Sequence, residues 1–482
     1  FNTEAYDLIK DNEFKLATQD SLSTFSIDVD TASYSNLRRF LTGGQLPPKD
    51  SVRIEELVNY FPYNYAGPTG PDPFAVNVEI SQAPWNKEHR LVRIGLKGKV
   101  IENSKRPSSN LVFLVDVSGS MQDANKLPWV KQSLKMLVDQ LGENDRIAIA
   151  VYAGAAGLAL QPTRGNDKAT ILGAIDRLEA GGSTNGAQGI ELAYRTAASG
   201  FIKGGTNRVI LLTDGDFNVG VTGQGDLARL AEEKSKSGVF LSVLGFGMGN
   251  LKDSTMEKIA DKGRGHYAYI DSLNEARKVF VEEMGANLVT IAKDVKIQVE
   301  FNPAEVNAFR LIGYENRVMQ HQEFNDDKKF AGIIGAGHTV TALYEIVPKG
   351  KSVNVPGVDA LKYQKPAAPK VEASKSGELM TLKLRYKEPE GEASKLLTFP
   401  IKDEGRKLEQ ATKDLRFQAS VAGFGMLLRD SPFKGTITWE EVLDLAQTGR
   451  GEDRHGYRGE FIELVKKARD LSNQPPAIGG QR

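Results

Sequence analysis

The sequence predicts an α/β protein: a doubly wound, mostly parallel sheet inserted into a β-sandwich, with additional helices at the N- and C-terminal ends. Three observations carry this expectation. The middle third alternates short apolar runs with amphipathic helical spacing, the grammar of βαβ crossovers and a parallel sheet covered on both sides. The segments flanking it hold period-two strands with no helices between them. The two ends return to helical spacing.

Taken in chain order, 33–41 and 52–61 read as helices, split by the breaker Pro47-Pro48. Segments 74–80 and 91–96 read as strands. The continuous apolar run 111–115, bounded by polar residues, suits a parallel strand buried on both faces. Leu127, Val130, Leu134, Leu137, Val138 and Leu141 then recur three and four apart, one face of a helix. A strand at 146–152 and a helical pattern through Ile171, Ile175 and Leu178 follow. Next come helix 187–198, strand 209–213, helix 227–236, strand 239–244, helix 254–261, strand 266–270 and helix 273–288.

Beyond these, Val295, Ile297, Val299 and Phe301 alternate with polar partners, and 339–347 and 379–386 repeat the pattern. Each flank alone is short of strands for a closed core, so one antiparallel sandwich interrupted by the α/β domain is the simplest account. The Pro-, Lys-, Ala- and Ser-rich stretch 358–377 reads as an exposed, mobile loop. Helices are expected at 408–429, 438–447 and 459–470, with a frayed tail beyond Asn473. The divisions are therefore 1–73, an N-terminal helical extension; 74–107 with 289–405, the sandwich; 108–288, the α/β domain; and 406–482, a helical region.

Composition bounds the function. The 482 residues suit about three domains, and 40% hydrophobic with 26% charged residues is ordinary for a globular protein. Lys plus Arg and Asp plus Glu each total 62. That balance excludes nucleic-acid binding through a globally basic surface. No apolar run approaches the ~18 residues that span a bilayer. The absence of cysteine excludes disulfides, thiolate zinc sites, iron–sulfur clusters and a cysteine nucleophile. The first residue is Phe1, so a processed or truncated chain is expected, with any signal peptide or lipid-anchor cysteine upstream. His89, His266, His321, His338 and His455 stand far apart, and surface or structural roles are expected for them.

The informative segment is Asp116-Val-Ser118-Gly-Ser120, at the end of the first strand of the α/β unit. Ligands of such sheets bind outside the carboxyl ends of the strands. A carboxylate and two hydroxyls there suit a hard cation that prefers oxygen. The loop Gly181-Gly-Ser183-Thr184-Asn-Gly186 offers Thr184, with Ser183 as rival, and Thr213-Asp214-Gly215 ends another strand in a carboxylate.

In these three ordered motifs the segment 108–288 resembles the von Willebrand factor type A family, a Rossmann-like fold, and its metal-ion-dependent adhesion site. The resemblance implies that Asp116, Ser118, Ser120, Thr184 and Asp214 hold Mg²⁺ (or Mn²⁺), some through water. The whole arrangement is similar to bacterial envelope proteins, commonly lipoproteins or secreted, in which this domain sits between N- and C-terminal flanks. Ile27-Asp28-Val-Asp30-Thr-Ala-Ser-Tyr34 and Gly423-Phe-Gly-Met-Leu-Leu428 match the character of those flanks.

The implied function is recognition rather than catalysis. A cation with few charged ligands stays electrophilic and accepts an Asp or Glu carboxylate from a protein partner. A shift of the helix 273–288, which leads into the strand at Val295, would couple sandwich and metal site. The rival readings are a metal-assisted hydrolase or phosphatase, which needs a base beside the ion, and a scaffold whose metal only stiffens loops.

Plainer readings compete at single motifs. Ser118 or Ser120 would serve as a helix cap, Asp123 as a solvated helix-start carboxylate, and Asp216 as an exposed turn residue or a water-orienting group. Gly245-Phe-Gly247-Met-Gly249 lacks the spacing of a dinucleotide loop. Asp28-Val-Asp30 reads as a strand end near a helix cap rather than a phosphotransferase nucleophile.

Overall fold

The computed structural model describes residues 4–102, 105–182, 186–215, 224–249, 251–283, 289–353, 355 and 376–474. The proline- and lysine-rich stretch expected as a mobile loop lies mostly outside these residues, as does the tail expected to fray. Among the described residues no helix is long and apolar enough to cross a membrane.

Two five-stranded sheets make the sandwich. The first runs Lys15–Leu16, Val306–Ile312, Thr339–Pro348, Asn86–Gly98 and Phe74–Ala83, antiparallel throughout. In the second, Thr290–Phe301 pairs with Met380–Lys387 on one edge and with Leu22–Ser26 and Gly332–Gly335 on the other; Ser394–Ile401 completes it. Alternating inward residues of both sheets share one core, where Phe301 stacks on Phe309 at 3.9 Å and Phe74 meets Tyr386 edge-on. The α/β domain enters after a strand of the first sheet and leaves into a strand of the second, as the sequence pattern requires.

The N-terminal segment, expected as a helical extension, departs from that expectation by supplying strands to both sheets. Leu22–Ser26 is too short to show a period, yet its Thr and Phe suit a half-buried pleat. Its helices Ala32–Thr42 and Ile54–Asn59 join the C-terminal helices Lys413–Arg429, Trp439–Gly449 and Tyr457–Ser472 around one further core. Glycine explains the closeness: a Cβ on Gly425 would meet Ile54 at 2.8 Å, and one on Gly423 would meet Ile437 at 2.5 Å.

The α/β sheet has six strands. Ser109–Asp116, every residue of it buried, lies between the parallel neighbours Arg146–Tyr152 and Thr206–Thr213. Phe240–Phe246 and Arg264–Ile270 extend the parallel side. Ala156–Arg164, missed in the sequence, closes the other side as an antiparallel edge. Its Gly157 and Pro162 weaken a strand signature, and an edge tolerates both. Helices Leu127–Val138, Lys168–Asp176, Gly186–Ser199, Gln224–Ser235 and Asp253–Lys262 accompany the sheet. The helix expected at 273–288 begins as Leu273–Arg277, continues as a π turn, Lys278–Glu283, and its last residues lie outside the described ones.

Arg38, on the first helix, clamps this segment. Its guanidinium holds Asp271, Glu275 at 2.8 Å and Glu460 at 2.9 Å, while the Tyr60 hydroxyl donates to Glu275 at 2.7 Å. One side chain thereby ties the N-terminal helix, the end of the α/β domain and the C-terminal helices.

Candidate metal centre

The chain passes from the central strand to one neighbour first and to the other neighbour later, so the carboxyl ends of these strands form the crevice where an α/β sheet binds ligands. Asp116 is the last residue of the central strand and is wholly buried. Its Oδ1 accepts the Ser118 backbone N–H at 2.9 Å. Its Oδ2 accepts the Tyr152 hydroxyl at 3.1 Å and the Thr213 hydroxyl at 3.2 Å. All of these donors are neutral. Burial pushes the Asp116 carboxyl up to about 6, opposed by the Ser118 hydrogen bonds and assisted by the charge of Asp214.

The Ser118 and Ser120 hydroxyls lie 3.1 Å apart. Ser118 stands at the start of the 3₁₀ turn Gly119–Gln122, yet its side chain makes no capping bond. The following helix starts only at Leu127, so the capping reading of these serines fails.

Thr184, with its rival Ser183, lies outside the described residues. The start of its loop is placed: Gly181 N–H donates to Val117 O at 2.7 Å, and Gly119 N–H to Gly182 O at 3.1 Å. These bonds stitch the loop against the serine turn.

Asp214 is wholly buried one residue past its strand. Gly215 turns there with φ of +85°, and a Cβ on it would meet the Lys252 nitrogen at 2.9 Å. The structure thus brings Asp116, Ser118, Ser120 and Asp214 to one rim.

It also brings a residue that the sequence reading did not single out. Lys126 Nζ lies 3.0 Å from Asp214 Oδ2, 3.0 Å from Ser120 O and 3.4 Å from Asp123 Oδ2. Its stem runs against Gly247, where a Cβ would meet Lys126 Cε at 2.4 Å, and the Tyr269 hydroxyl holds Gly247 O at 2.6 Å. The glycine-rich loop is therefore a cradle for a lysine. Nothing in the spacing of Lys126, six residues beyond Ser120, signals this. Asp123 is 70% exposed, in keeping with the solvated reading; Asp216 lies outside the described residues.

The donor set fits a hard divalent cation. Of the two buried carboxylates, Asp214 meets the buried Lys126 ammonium, while among the described residues Asp116 takes only neutral donors and so carries a charge with no cation against it, beside two hydroxyls. A buried charge in that state is costly unless a counter-charge reaches it.

A second acidic group was also missed. Carboxylate oxygens of Asp30, Glu56 and Glu257 lie within 4.8 Å of one another, all buried. Two arginines thread this group: Arg53 meets Asp253 at 2.6 Å, and Arg317 meets Asp261 at 2.9 Å and Asp30 at 3.3 Å. Burial raises Asp28 to about 6 and Glu56 to about 7. Asp30 also accepts the Tyr267 backbone N–H at 2.7 Å, so the Asp28-Val-Asp30 motif joins the first helix to the α/β domain.

Residues 110–282 match the family model described as von Willebrand factor type A domain, which defines the class of the inserted domain. Residues 1–93 match a model described as von Willebrand factor, and 286–471 one described as the C-terminal part of the uncharacterized protein YfbK. The uncharacterized protein YfbK of Escherichia coli (strain K12) is 45% identical over 473 residues, which are 97% of this chain and 81% of that protein. The chain belongs to the YfbK family.

A more distant relative is the magnesium-chelatase 60 kDa subunit of Rhodobacter capsulatus, 31% identical over 160 residues, 32% of this chain and 28% of that protein. Among solved structures, a von Willebrand factor type A protein from Catenulispora acidiphila aligns at 17% identity over 82% of this chain and 89% of that chain, with a TM-score of 0.45.

Proposed function

We propose that the chain is a metal-dependent protein-binding module of the bacterial cell envelope. One Mg²⁺ (or Mn²⁺) is held by Asp116, Ser118, Ser120 and Asp214, with Thr184 completing the set from its loop. The ion's remaining position takes an Asp or Glu carboxylate of a protein partner. The observation that carries this reading is the meeting of two wholly buried carboxylates and two hydroxyls at the strand-end crevice, where Lys126 meets Asp214 and, among the described residues, Asp116 takes only neutral donors.

Chemistry supports recognition over hydrolysis. Each oxygen of Asp116 already accepts a hydrogen bond from a protein donor, which suits a ligand better than a general base. The test is capture of proteins from an envelope extract by the immobilised chain, with Mg²⁺ or with chelator, beside the Asp116→Asn variant. A partner retained only with Mg²⁺ and lost in the variant supports the reading. Equal retention in all arms overturns it, and so does metal-dependent turnover of a phosphate ester that disappears in the variant.

A further inference from the structure

A cavity of about 340 Å³ lies where the three parts of the chain meet. It is within the size range of small-molecule pockets. The α/β domain contributes Arg208 and His266, the sandwich Lys97 and His338, and the N-terminal segment Tyr60 and Phe61. This is a separate place from the metal centre and shares no residue with it.

Two cations of its lining, Arg208 and Lys97, have no acidic partner among the described residues. Arg208 is 95% buried by its 5% exposure, and among the described residues no carboxylate pairs with it. Its Nη1 donates to Ser242 Oγ at 3.0 Å, and its Nε has no hydrogen-bond partner. Burial alone presses its pKa down to about 10, which leaves it charged at neutral pH. Lys97 Nζ donates to Gly337 O at 2.7 Å and likewise meets no carboxylate among the described residues. The His266 and His338 rings stand 6.4 Å apart; burial, with the charge of Arg208 on His266 and of Lys97 on His338, pushes both well down the scale.

The acids of the lining are already engaged. Asp30 takes Arg317 and the Tyr267 N–H, Glu283 takes Lys278, and Glu282 takes the Tyr457 hydroxyl at 2.8 Å and His455 at 3.3 Å. Asp28, at 4.0 Å from His266, is held by Arg317. Two cations from different domains thus face the cavity with no counter-charge among the described residues. An uncompensated buried guanidinium with a free N–H is a donor waiting for oxygen.

We infer that this cavity binds a small dianion with an apolar body, of the phosphate monoester class, its phosphate oxygens taken by Arg208 and Lys97 and its body lying against Tyr60 and Phe61. Two single positive charges match a dianion in number, and the planar guanidinium matches its oxygens in geometry. The ligand would bridge the α/β domain and the sandwich, so its binding joins two parts of the chain through one molecule.

The test is calorimetric titration of the full chain with phenyl phosphate in metal-free chloride buffer, with phenol and inorganic phosphate as comparisons. Saturable uptake of one phenyl phosphate per chain is expected, weakened about tenfold or more in Arg208→Met and in Lys97→Met. Phenol is expected not to bind, and inorganic phosphate to bind more weakly. Because Arg208 carries an unpaired buried charge, Arg208→Met is expected to melt no lower than the parent chain without ligand. Should that variant fail to fold, Lys97→Met carries the same comparison from the other domain. No saturable uptake at millimolar concentration, unchanged affinity in the variants, or tighter binding of phenol would overturn the inference.

Discussion

The ammonium of Lys126 lies 3.0 Å from Oδ2 of Asp214, wedged between that wholly buried carboxylate and the Ser120 carbonyl. A cation that belongs to the chain thus neutralises one of the two acids proposed to hold Mg²⁺. An ion held by Asp214 would have to share or displace this ammonium.

Replacing Lys126 by Met, which keeps the stem packed on Gly247, tests this competition. Without the ammonium the two carboxylates repel each other at close burial, and breaking such a pair costs about 3–5 kcal/mol. The variant is expected to melt below the parent chain in chelator and to gain more from added Mg²⁺, with metal affinity raised about tenfold or more. Thermal unfolding against Mg²⁺ concentration measures both. An unchanged Mg²⁺ dependence would show that Lys126 and the ion do not meet.

The clamp at Arg38 gives a second test. Arg38→Met removes the guanidinium from the enclosed carboxylates of Asp271 and Glu275. A loss of stability on the order of 3–5 kcal/mol is expected in urea unfolding; a loss under about 1 kcal/mol would mean the clamp is redundant. If the end of the α/β domain is coupled to the metal centre, the same variant also shifts Mg²⁺ affinity. Identical affinity would remove that coupling.

Glu55 sets an expected pH dependence. Burial and the nearby Glu315 charge raise its carboxyl to about 7, and its Oε2 has no hydrogen-bond partner. A folded-state value above the unfolded one means that the folded chain binds the extra proton between about pH 4.5 and 7. Stability from this group is therefore present at low pH and lost as pH rises through 7. Glu55→Gln is expected to flatten that slope and to be more stable than the parent at pH near 8, on the order of 2 kcal/mol. Parallel melting curves for the two proteins across this range would contradict it.

Much of the fold was legible because burial leaves a periodic trace. The run 111–115 announced a strand covered on both faces, and the alternation from Val295 to Phe301 announced a strand of the sandwich. Leu22–Ser26 escaped because it is short, and Ala156–Arg164 because an edge strand holding Gly157 and Pro162 carries little period. The motif residues Asp116, Ser118, Ser120 and Asp214 were legible because each sits at or just past a strand end, and strand ends can be located from apolar runs. Lys126, Arg38 and Arg208 were not. Their meaning comes from partners far away in sequence or, for Arg208, from the absence of one among the described residues, and no local spacing encodes that.

The most direct measurement is calorimetric titration of Mg²⁺ into the folded chain beside its Asp116→Asn variant. One saturable ion per chain, lost in the variant while its circular dichroism stays that of the parent, is the expected result. No uptake of Mg²⁺ or Mn²⁺ by the folded parent chain, or equal uptake by the variant, would contradict a metal centre at Asp116 and Asp214.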